Sequence, residues 1–421
     1  MKKHLLYILL DGLGDLPVSK FGGKTSLEAS DHPYMNALAS RGRSGLVYTV
    51  GKGIAPESDV AVISMLGYDP VKTYTGRGPI EALGSGMVMK DGDLALRCNF
   101  ATVDNDLNIV DRRCGRSLTS EEAAELADAV NKHVKLSRKA TFEFRSTLGH
   151  RAVLLIKSGP GEGSLSGNIA NTDPAYKKVG GLGIALKDFQ NNVVTCTPLD
   201  ESPEAERAAE LLQEFTEKSH EVLDSHPVNT KRRSQSKPPA NEVLCRDAGS
   251  ELPVFKPIGE IYGIDFAAMV EMPVERGISM RSGMAMVELP KPAGDIRIDY
   301  ERRAKMAGEL LRKYGCVYIH IKGPDEPAHD GDCEGKKNSI ELIDAFFFKN
   351  LKLGEDAIIA VTADHSTPCT LRAHSDDPVP LFVSGSGVMP DGTREFGEGA
   401  CKKGSLGVLN GRDVLKKVLS M

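Results

Sequence analysis

The sequence lacks the features that mark nucleic-acid-binding and membrane proteins. Its 421 residues carry 53 Lys and Arg against 58 Asp and Glu, a net charge of −5, so no basic excess exists to neutralise phosphates or an anionic membrane surface. No apolar run reaches transmembrane length, and the N-terminal run, residues 5–10, is too short for the h-region of a signal peptide. We therefore expect a cytoplasmic protein that acts on a small molecule, with no nucleic-acid or membrane partner.

Cysteine is sparse, and repeats are missing. The eight cysteines show no CxxC spacing, so we predict reduced thiols rather than disulfides. The sequence has no internal repeat and no long low-complexity tract. Its 40% of apolar and 26% of charged residues are typical of a soluble globular protein. A chain of 421 residues is too long for one ordinary core, which predicts two domains.

Acidic and histidine residues follow three short apolar runs. Runs of this length, bounded by Gly, Pro and Asp, are typical of buried parallel strands, and ligands bind at the carboxyl ends of such strands. We therefore expect three Asp and three His to converge, which is enough for two divalent metals and indicates phosphoryl chemistry. The candidates are Asp11 after residues 5–10, Asp325 and His329 after residues 317–321, and Asp364, His365 and His374 after residues 358–361.

Each of these residues also has a simpler interpretation. A single Asp after a strand is usually a turn former or a helix cap, and a single His is more often a hydrogen-bonded structural residue than a ligand. The Asp/His pairs recur at the same structural position after two different runs, which favours metal binding.

The remaining pattern predicts an α/β fold with an insertion. We expect a doubly wound, mostly parallel sheet formed by residues 1–80 and 260–421, with an α+β substrate or lid domain at residues 81–259 and a cleft between them. Within the insertion we predict strands near residues 97–103, 142–145 and 153–157, and helices starting at Thr119 with Glu122 and at Ser202 with Pro203. Residues 226–240 are basic and rich in proline, and we expect an exposed mobile loop there rather than a binding element, which is the alternative.

Ser58 precedes an apolar helix that Gly67 closes, so on local sequence it is a natural N-cap. The same position suits a nucleophile, because a helix N-terminus favours a phosphoryl group on the serine oxygen. The nearby metal candidates favour the nucleophile.

Several motifs resemble one known family. The chain resembles a cofactor-independent (2,3-bisphosphoglycerate-independent) phosphoglycerate mutase of the archaeal type, in the alkaline phosphatase superfamily, and the resemblance covers nearly the whole chain. The motifs are Leu10-Asp11-Gly12-Leu13-Gly14-Asp15, Ser58-Asp59-Val60-Ala61, Leu66-Gly67-Tyr68-Asp69-Pro70, Thr75-Gly76-Arg77-Gly78-Pro79, His320-Ile321-Lys322-Gly323-Pro324-Asp325 and Ala363-Asp364-His365-Ser366-Thr367-Pro368.

The resemblance implies two metal sites and a two-step transfer. One metal, which binds the substrate phosphate, would be held by Asp325, His329 and His374. The other, which activates the nucleophile, would be held by Asp11, Asp364, His365 and the Ser58 oxygen. The family uses Mn, Mg, Co or Zn, and we expect Mn, with no bisphosphoglycerate cofactor. Ser58 would take the phosphate of 3-phosphoglycerate and return it to the 2-hydroxyl, while the closed insertion excludes water from the phosphoserine.

The insertion must bind the glycerate carboxylate, for which arginine forks are suited. Each candidate could equally be a solvated surface residue. In bacterial relatives an Asp beside an Arg shuttles the glycerate proton; Asp111 is the best match here, although the residue order differs. Lys322 could reach the transferring phosphate as a point charge, or simply end its strand. The arginine candidates are Arg97, Arg112, Arg113, Arg116, Arg151 and Arg246.

Two other functions are compatible with the core residues. A metal-dependent phosphatase or phosphopentomutase of the same superfamily would share the metal and nucleophile residues, and only the insertion discriminates among these enzymes. A non-catalytic homologue would show degraded ligands, whereas all six Asp and His positions and Ser58 are present. An oligomer is possible, but the sequence does not define one.

Overall fold

The structure, a computed structural model, describes residues 4–179, 182–186 and 188–421. It divides into two compact units, one formed by Met1–Thr73 with Phe255–Met421 and the other by Tyr74–Val254. The first unit is therefore discontinuous in sequence, and the second is a single insertion within it.

The strands of the described residues are short, and those of the first unit lie at both ends of the chain. In chain order they are β1 His4–Leu10, β2 Gly42–Tyr48, β3 Leu94–Val103, β4 Ile109–Asp111, β5 Thr141–Ser146, β6 Arg151–Lys157, β7 Tyr176–Val179, β8 Leu182–Ala185, β9 Glu242–Gly249, β10 Phe266–Met269, β11 Ala285–Met286, β12 Cys316–Ile321, β13 Ala357–Thr362, β14 Val379–Gly385 and β15 Gly407–Asn410.

The helices alternate with the strands in the first unit and cluster in the second. They are α1 Ser26–Ala29, α2 Pro33–Ala39, α3 Ser58–Met65, α4 Pro70–Thr73, α5 Arg77–Gly84, α6 Ser120–His133, α7 Pro203–Asp224, α8 Pro227–Ser234, α9 Ile258–Tyr262, α10 Pro273–Arg281, α11 Ile296–Leu310, α12 Asp325–Asp330, α13 Cys333–Phe346, α14 Glu398–Cys401 and α15 Gly411–Leu419.

The first unit is built on one eight-stranded sheet in the order β11-β10-β12-β1-β13-β14-β2-β15. The predicted α/β fold with a mostly parallel sheet is confirmed, since β1 pairs in parallel with both β12 and β13. Only β14 runs antiparallel to its two neighbours. The apolar runs form central strands because they are buried along their whole length and cannot present a polar face to water.

The second unit contains a mainly antiparallel sheet in the order β4-β3-β6-β5, with β9 paired to β3. Helices α6 and α7 close its core, where the ring of Phe144 meets those of Phe100 and Phe215 edge to face at 5.5 Å. The capping box of Thr119 and Glu122 at α6 is present as predicted. The capping serine and N1 proline of α7 are present too.

The prediction of a loop at residues 226–240 is wrong for the first half of the segment. Residues Pro227–Ser234 form α8, which begins with His226 accepting a bond from the Val228 amide. The Arg232 guanidinium is completely buried and bonds to Glu122 at 2.7 Å and to the Pro238 carbonyl at 2.9 Å. Arg232 thus anchors the segment, because Glu122 and the Pro238 carbonyl compensate its buried positive charge.

Two further observations concern the cysteines and the helix lengths. All eight cysteines are free thiols, as predicted. Among the residues that the structure describes, no helix is both long enough and apolar enough to cross a membrane.

Candidate functional site

The ends of three adjacent strands determine where the polar residues of the first unit meet. Strand β1 lies between β12 and β13, with Leu10 opposite Ile321 and Leu9 opposite Thr362. The residues that follow the three strands therefore lie side by side at one edge of the sheet. Asp11 follows β1, Lys322 follows β12, and Asp364 lies two residues beyond β13.

Asp325, His329 and His374 form one group of potential metal ligands. Asp325 and His329 are one turn apart on α12, so both point to the same side of the helix. The possible ligand atoms of the three residues lie close together. Asp325 Oδ1 is 3.5 Å from His329 Nε2 and 3.6 Å from His374 Nε2. The two Nε2 atoms are 3.2 Å apart.

Backbone carbonyls hold the two imidazoles of this group. His374 Nδ1 is 2.8 Å from the Pro56 oxygen, and His329 Nδ1 is 3.2 Å from the Arg372 oxygen. A carbonyl only accepts, so each Nδ1 carries a hydrogen, and Nε2 is the ring atom that each histidine turns toward the group. Burial acts to raise the pKa of the Asp325 carboxyl, but the three neighbouring imidazoles, those of His374, His365 and His329, outweigh it and hold the pKa far below its ordinary range.

A second group surrounds His365. Its Nε2 lies 3.3 Å from Asp364 Oδ2, 3.6 Å from Asp11 Oδ1 and 3.0 Å from Ser58 Oγ. Asp364 is oriented by the amides of Gly12 and His365, each donating to Oδ1 at 3.1 Å, so that Oδ2 is left toward the group. Of the four residues that the resemblance assigned to one metal, Asp11, Asp364 and Ser58 therefore each place an oxygen within 3.6 Å of the fourth, at His365 Nε2.

The two groups are contiguous. The rings of His365 and His374 stack with centroids 3.8 Å apart, and the Thr367 hydroxyl donates to Asp325 Oδ1 at 2.7 Å while lying 3.0 Å from His365 Nδ1. Gly12 has φ +59°, and a Cβ there would lie 2.6 Å from Asp325 Oδ1. A glycine is thus required after Asp11, because the Asp325 side chain approaches the backbone too closely for a Cβ.

The donor atoms fit divalent metal ions. Asp11 Oδ1 and Asp364 Oδ2 are buried, and no hydrogen-bond donor in the part of the chain that the structure describes satisfies either oxygen. Burial raises the pKa of Asp11 to about 6 despite the opposing Lys322 ammonium. Buried carboxylates of this kind are paired or coordinate metals. The set holds oxygen and imidazole nitrogen without thiolate, which suits borderline-to-hard ions.

Two residues at this edge were not predicted from the sequence. His320 and Glu275 are buried, with His320 Nδ1 3.2 Å from Glu275 Oε1 and His320 Nε2 3.4 Å from Asp364 Oδ2. A signal existed for His320, because it interrupts an apolar strand and lies on the same face as Lys322, two residues on. Glu275 lies on α10 and has no such local signal.

Two predicted core residues have different surroundings from those expected. Ser58 is not the N-cap of α3: the helix begins at Ser58, Glu57 is its N-cap, and no side-chain capping bond forms. The boundary differs by one residue, and the serine hydroxyl bonds to His365 rather than to a helix amide. Lys322 Nζ lies 3.1 Å from Asp11 Oδ2 and 2.7 Å from Glu275 Oε1, so it is more than the end of a strand.

The second unit gathers several of the arginine candidates on one side of its sheet. Arg97 and Arg246 are opposite each other on β3 and β9. The Asp173 carboxylate accepts hydrogen bonds from two arginines. Arg112 donates through Nε at 3.0 Å and Nη2 at 2.6 Å, and Arg246 donates through Nη1 at 2.9 Å. Glu81 pairs with Arg97 at 3.6 Å. The carboxylates hold the guanidinium groups in place, as bidentate pairs do.

Positive charge exceeds negative charge in this arginine cluster. Burial lowers the pKa of Arg97 to about 10, and the neighbouring Arg77, Arg246 and Arg151 act in the same direction. Burial together with Arg151, Arg113, Arg97 and Arg246 lowers the pKa of His150 to about 3. These mutual effects require proximity, so the guanidinium groups of the cluster lie close to one another and to His150.

Arg116 and Asp111 lie at the border of the arginine cluster. Arg116 is exposed, and its charge helps to lower the pKa of Arg113, an effect secondary to burial. Asp111 ends β4, where its Oδ1 accepts the Arg113 amide at 2.7 Å. Sequence reasoning missed Asp173, Glu81, Arg77 and His150, because their roles depend on which strands and loops meet.

Comparisons with known proteins identify the family of the chain. Residues 39–229 match the family model described as 2,3-bisphosphoglycerate-independent phosphoglycerate mutase. A relative of that name from Aeropyrum pernix is 44% identical over 99% of both chains. Another from Thermococcus kodakarensis is 39% identical over 100% of this chain and 97% of its own.

Solved structures extend this likeness to the fold. A protein of known structure from Pyrococcus horikoshii is 31% identical, with a TM-score of 0.78 over 100% of this chain and 97% of its own. The cofactor-independent phosphoglycerate mutase from Thermoplasma acidophilum is 31% identical, with a TM-score of 0.61 over 99% of both chains.

Proposed function

The chain belongs to the 2,3-bisphosphoglycerate-independent phosphoglycerate mutase family, and we propose that it interconverts 3-phosphoglycerate and 2-phosphoglycerate through a phosphoserine at Ser58. The observation that carries this proposal is the position of Ser58 Oγ, 3.0 Å from His365 Nε2 and beside the cluster of Asp and His ligands. A serine at a helix N-terminus next to such a cluster is suited to receive a phosphoryl group.

We assign the metal ligands as the sequence motifs suggest. Two divalent ions, with manganese preferred, would lower the pKa of the serine hydroxyl and neutralise charge on the phosphoryl oxygens. The carbonyl bonds to Nδ1 of His329 and His374 support this assignment, since they fix both rings with Nε2 available. One ion would be held by Asp325, His329 and His374, and the other by Asp11, Asp364, His365 and Ser58.

The proposed reaction consists of two phosphoryl transfers, one to Ser58 and one from it. Ser58 Oγ loses its proton and attacks phosphorus, the bond between phosphorus and the 3-oxygen breaks, and that oxygen takes up a proton. After glycerate reorients, its 2-hydroxyl loses a proton and attacks the phosphoserine, and the freed Ser58 Oγ regains a proton. Asp111 is our candidate for carrying the proton, and Lys322 for electrostatic support near the phosphate.

We assign glycerate binding to the arginine cluster of the second unit. Arg112 and Arg246 are fixed by Asp173, so little side-chain entropy remains to be lost when a carboxylate binds. The other candidates are Arg97, Arg113, Arg116 and Arg151. On this proposal the first unit is the metal-binding core and the second the substrate-binding domain, in a cytoplasmic enzyme.

A metal-dependent phosphatase or phosphopentomutase is the alternative for the same core. The arginine cluster favours a small substrate that carries a carboxylate, because guanidinium forks match that group. The sequence retains all seven residues that we assign as metal ligands, including Ser58, which argues against a non-catalytic homologue.

Replacing the nucleophile tests the function. Ser58→Ala should abolish formation of 2-phosphoglycerate, because the phosphoryl acceptor is lost, while the circular dichroism spectrum stays close to that of the unaltered chain. Ser64→Ala, in the buried part of the same helix, is the matched control and should retain turnover. Substantial mutase activity in Ser58→Ala would refute the proposed intermediate.

A further inference from the structure

Glu275 is a buried carboxylate to which the proposed reaction gives no role. Its side chain, on α10, is 0% exposed, and it lies beside the ligand cluster rather than among the assigned ligands. Its Oε1 contacts the Lys322 ammonium at 2.7 Å and His320 Nδ1 at 3.2 Å. A carboxylate this deep must be compensated by positive charge, so its presence depends on these neighbours.

Lys322 bridges Glu275 and the ligand cluster. Its ammonium lies 3.1 Å from Asp11 Oδ2 as well as 2.7 Å from Glu275 Oε1. The side chain therefore places a positive charge between two carboxylates.

The bridge makes the two oxygens of Asp11 unequal. Oδ2 faces the ammonium, whereas Oδ1 is 3.6 Å from His365 Nε2 and has no hydrogen-bond donor among the described residues. Asp11 can thus offer one oxygen to an ion at the His365 group while its other oxygen stays engaged. Carboxylate oxygens that converge on one point, as those of Asp11 and Glu275 do, are also the ligands that a hard divalent ion prefers.

We propose that Lys322 is a built-in cation that takes the place of a third divalent ion between Asp11 and Glu275, and that Glu275 is the positioning residue that holds it there. The inference rests on the proposed dinuclear site. The lysine neutralises the negative charge of Asp11 and Glu275 in place of an exchangeable metal ion, so the cluster binds only two ions. The same contact holds Asp11 in the orientation in which its other oxygen can bind one of them.

The test counts metal ions rather than turnover. The full chain is stripped of metal with a chelator and equilibrated with Mn²⁺ in moderate excess. Native mass spectrometry then measures the number of ions bound per chain. The unaltered chain should hold two ions. Lys322→Ala and Lys322→Ser should each gain one ion per chain, because the ammonium is replaced by space between two carboxylates. Lys322→Arg, which keeps the charge, and Lys322→Ala combined with Glu275→Gln should both return to two.

The outcomes separate this inference from the function on which it rests. Two or fewer ions in both folded neutral variants, or three in the unaltered chain, would overturn the built-in cation. Fewer than two ions in the unaltered chain would instead refute the dinuclear site itself. Circular dichroism of each variant establishes that the count is taken on folded protein, and the serine variant supplies the count if the alanine variant does not fold.

Discussion

The Thr367 side chain contacts both groups of ligands. Its hydroxyl has one proton, which it donates to Asp325 Oδ1 at 2.7 Å. The hydroxyl oxygen, 3.0 Å from His365 Nδ1, must then accept the ring hydrogen, which leaves Nε2 of His365 with its lone pair toward Ser58. A second contact, from the Lys336 ammonium to the Thr367 carbonyl at 2.9 Å, fixes the backbone of this residue.

Thr367→Val should therefore weaken metal binding. The isosteric valine removes the hydrogen bonds that orient one ligand of each group, and loss of such support typically costs roughly 10–100-fold in metal affinity. Calorimetric titration of chelator-stripped protein with Mn²⁺ measures the change. Thr362→Val is the control, since that buried hydroxyl has no hydrogen-bond partner in the described residues. Equal affinities in the two variants would contradict the role of Thr367.

At the scale of elements, local patterns predicted what depends on local chemistry. The three apolar runs became adjacent parallel strands because only buried strands tolerate such continuous hydrophobicity. The capping box at α6 was readable because its partners lie three residues apart. Helix α8 was missed because the burial of Arg232 depends on Glu122, a residue 110 positions away. Glu275 was missed for the same reason, since its cationic partners come from another element.

Arg232 gives a stability test of that helix. Arg232→Met leaves Glu122 without its guanidinium partner and the Pro238 carbonyl without its donor, and breaking a buried pair costs roughly 3–5 kcal/mol. The neighbouring Arg233→Met is the matched control. Its side chain is 40% exposed and pairs with Asp224 at the surface, so its loss should cost about 1 kcal/mol or less. Urea denaturation compares the two, and equal destabilisation would show that Arg232 is not an anchor.

At the scale of the whole molecule, the proposal gives the two units different chemical tasks. The first unit supplies the nucleophile and the candidate metal ligands, which a phosphatase would also need. The second supplies a fixed set of arginines, with Arg112 and Arg246 both held by Asp173. The division predicts that damage to the second unit changes the fate of the phosphoryl group rather than its first transfer.

Arg112→Ala is the variant that examines this division. Loss of one charge-assisted contact to glycerate should cost roughly 1.5–3 kcal/mol, so mutase flux should fall and hydrolysis of the phosphoserine should rise relative to it. Parallel assays of 2-phosphoglycerate and of released phosphate give the ratio. Arg138→Ala, an arginine paired with surface glutamates in the same unit, should leave the ratio unchanged. A fall in both activities at constant ratio would assign Arg112 a purely structural role.

The most direct measurement is to find the phosphoryl group on the enzyme. Metal-loaded protein is mixed with 3-phosphoglycerate, quenched in acid within its first turnovers and digested, and the peptide containing Ser58 is sequenced by mass spectrometry. The account predicts one phosphoryl group on Ser58, which is absent without substrate and absent after chelation. A quenched enzyme that forms 2-phosphoglycerate while Ser58 stays unmodified, or that carries phosphate on another residue, would contradict it.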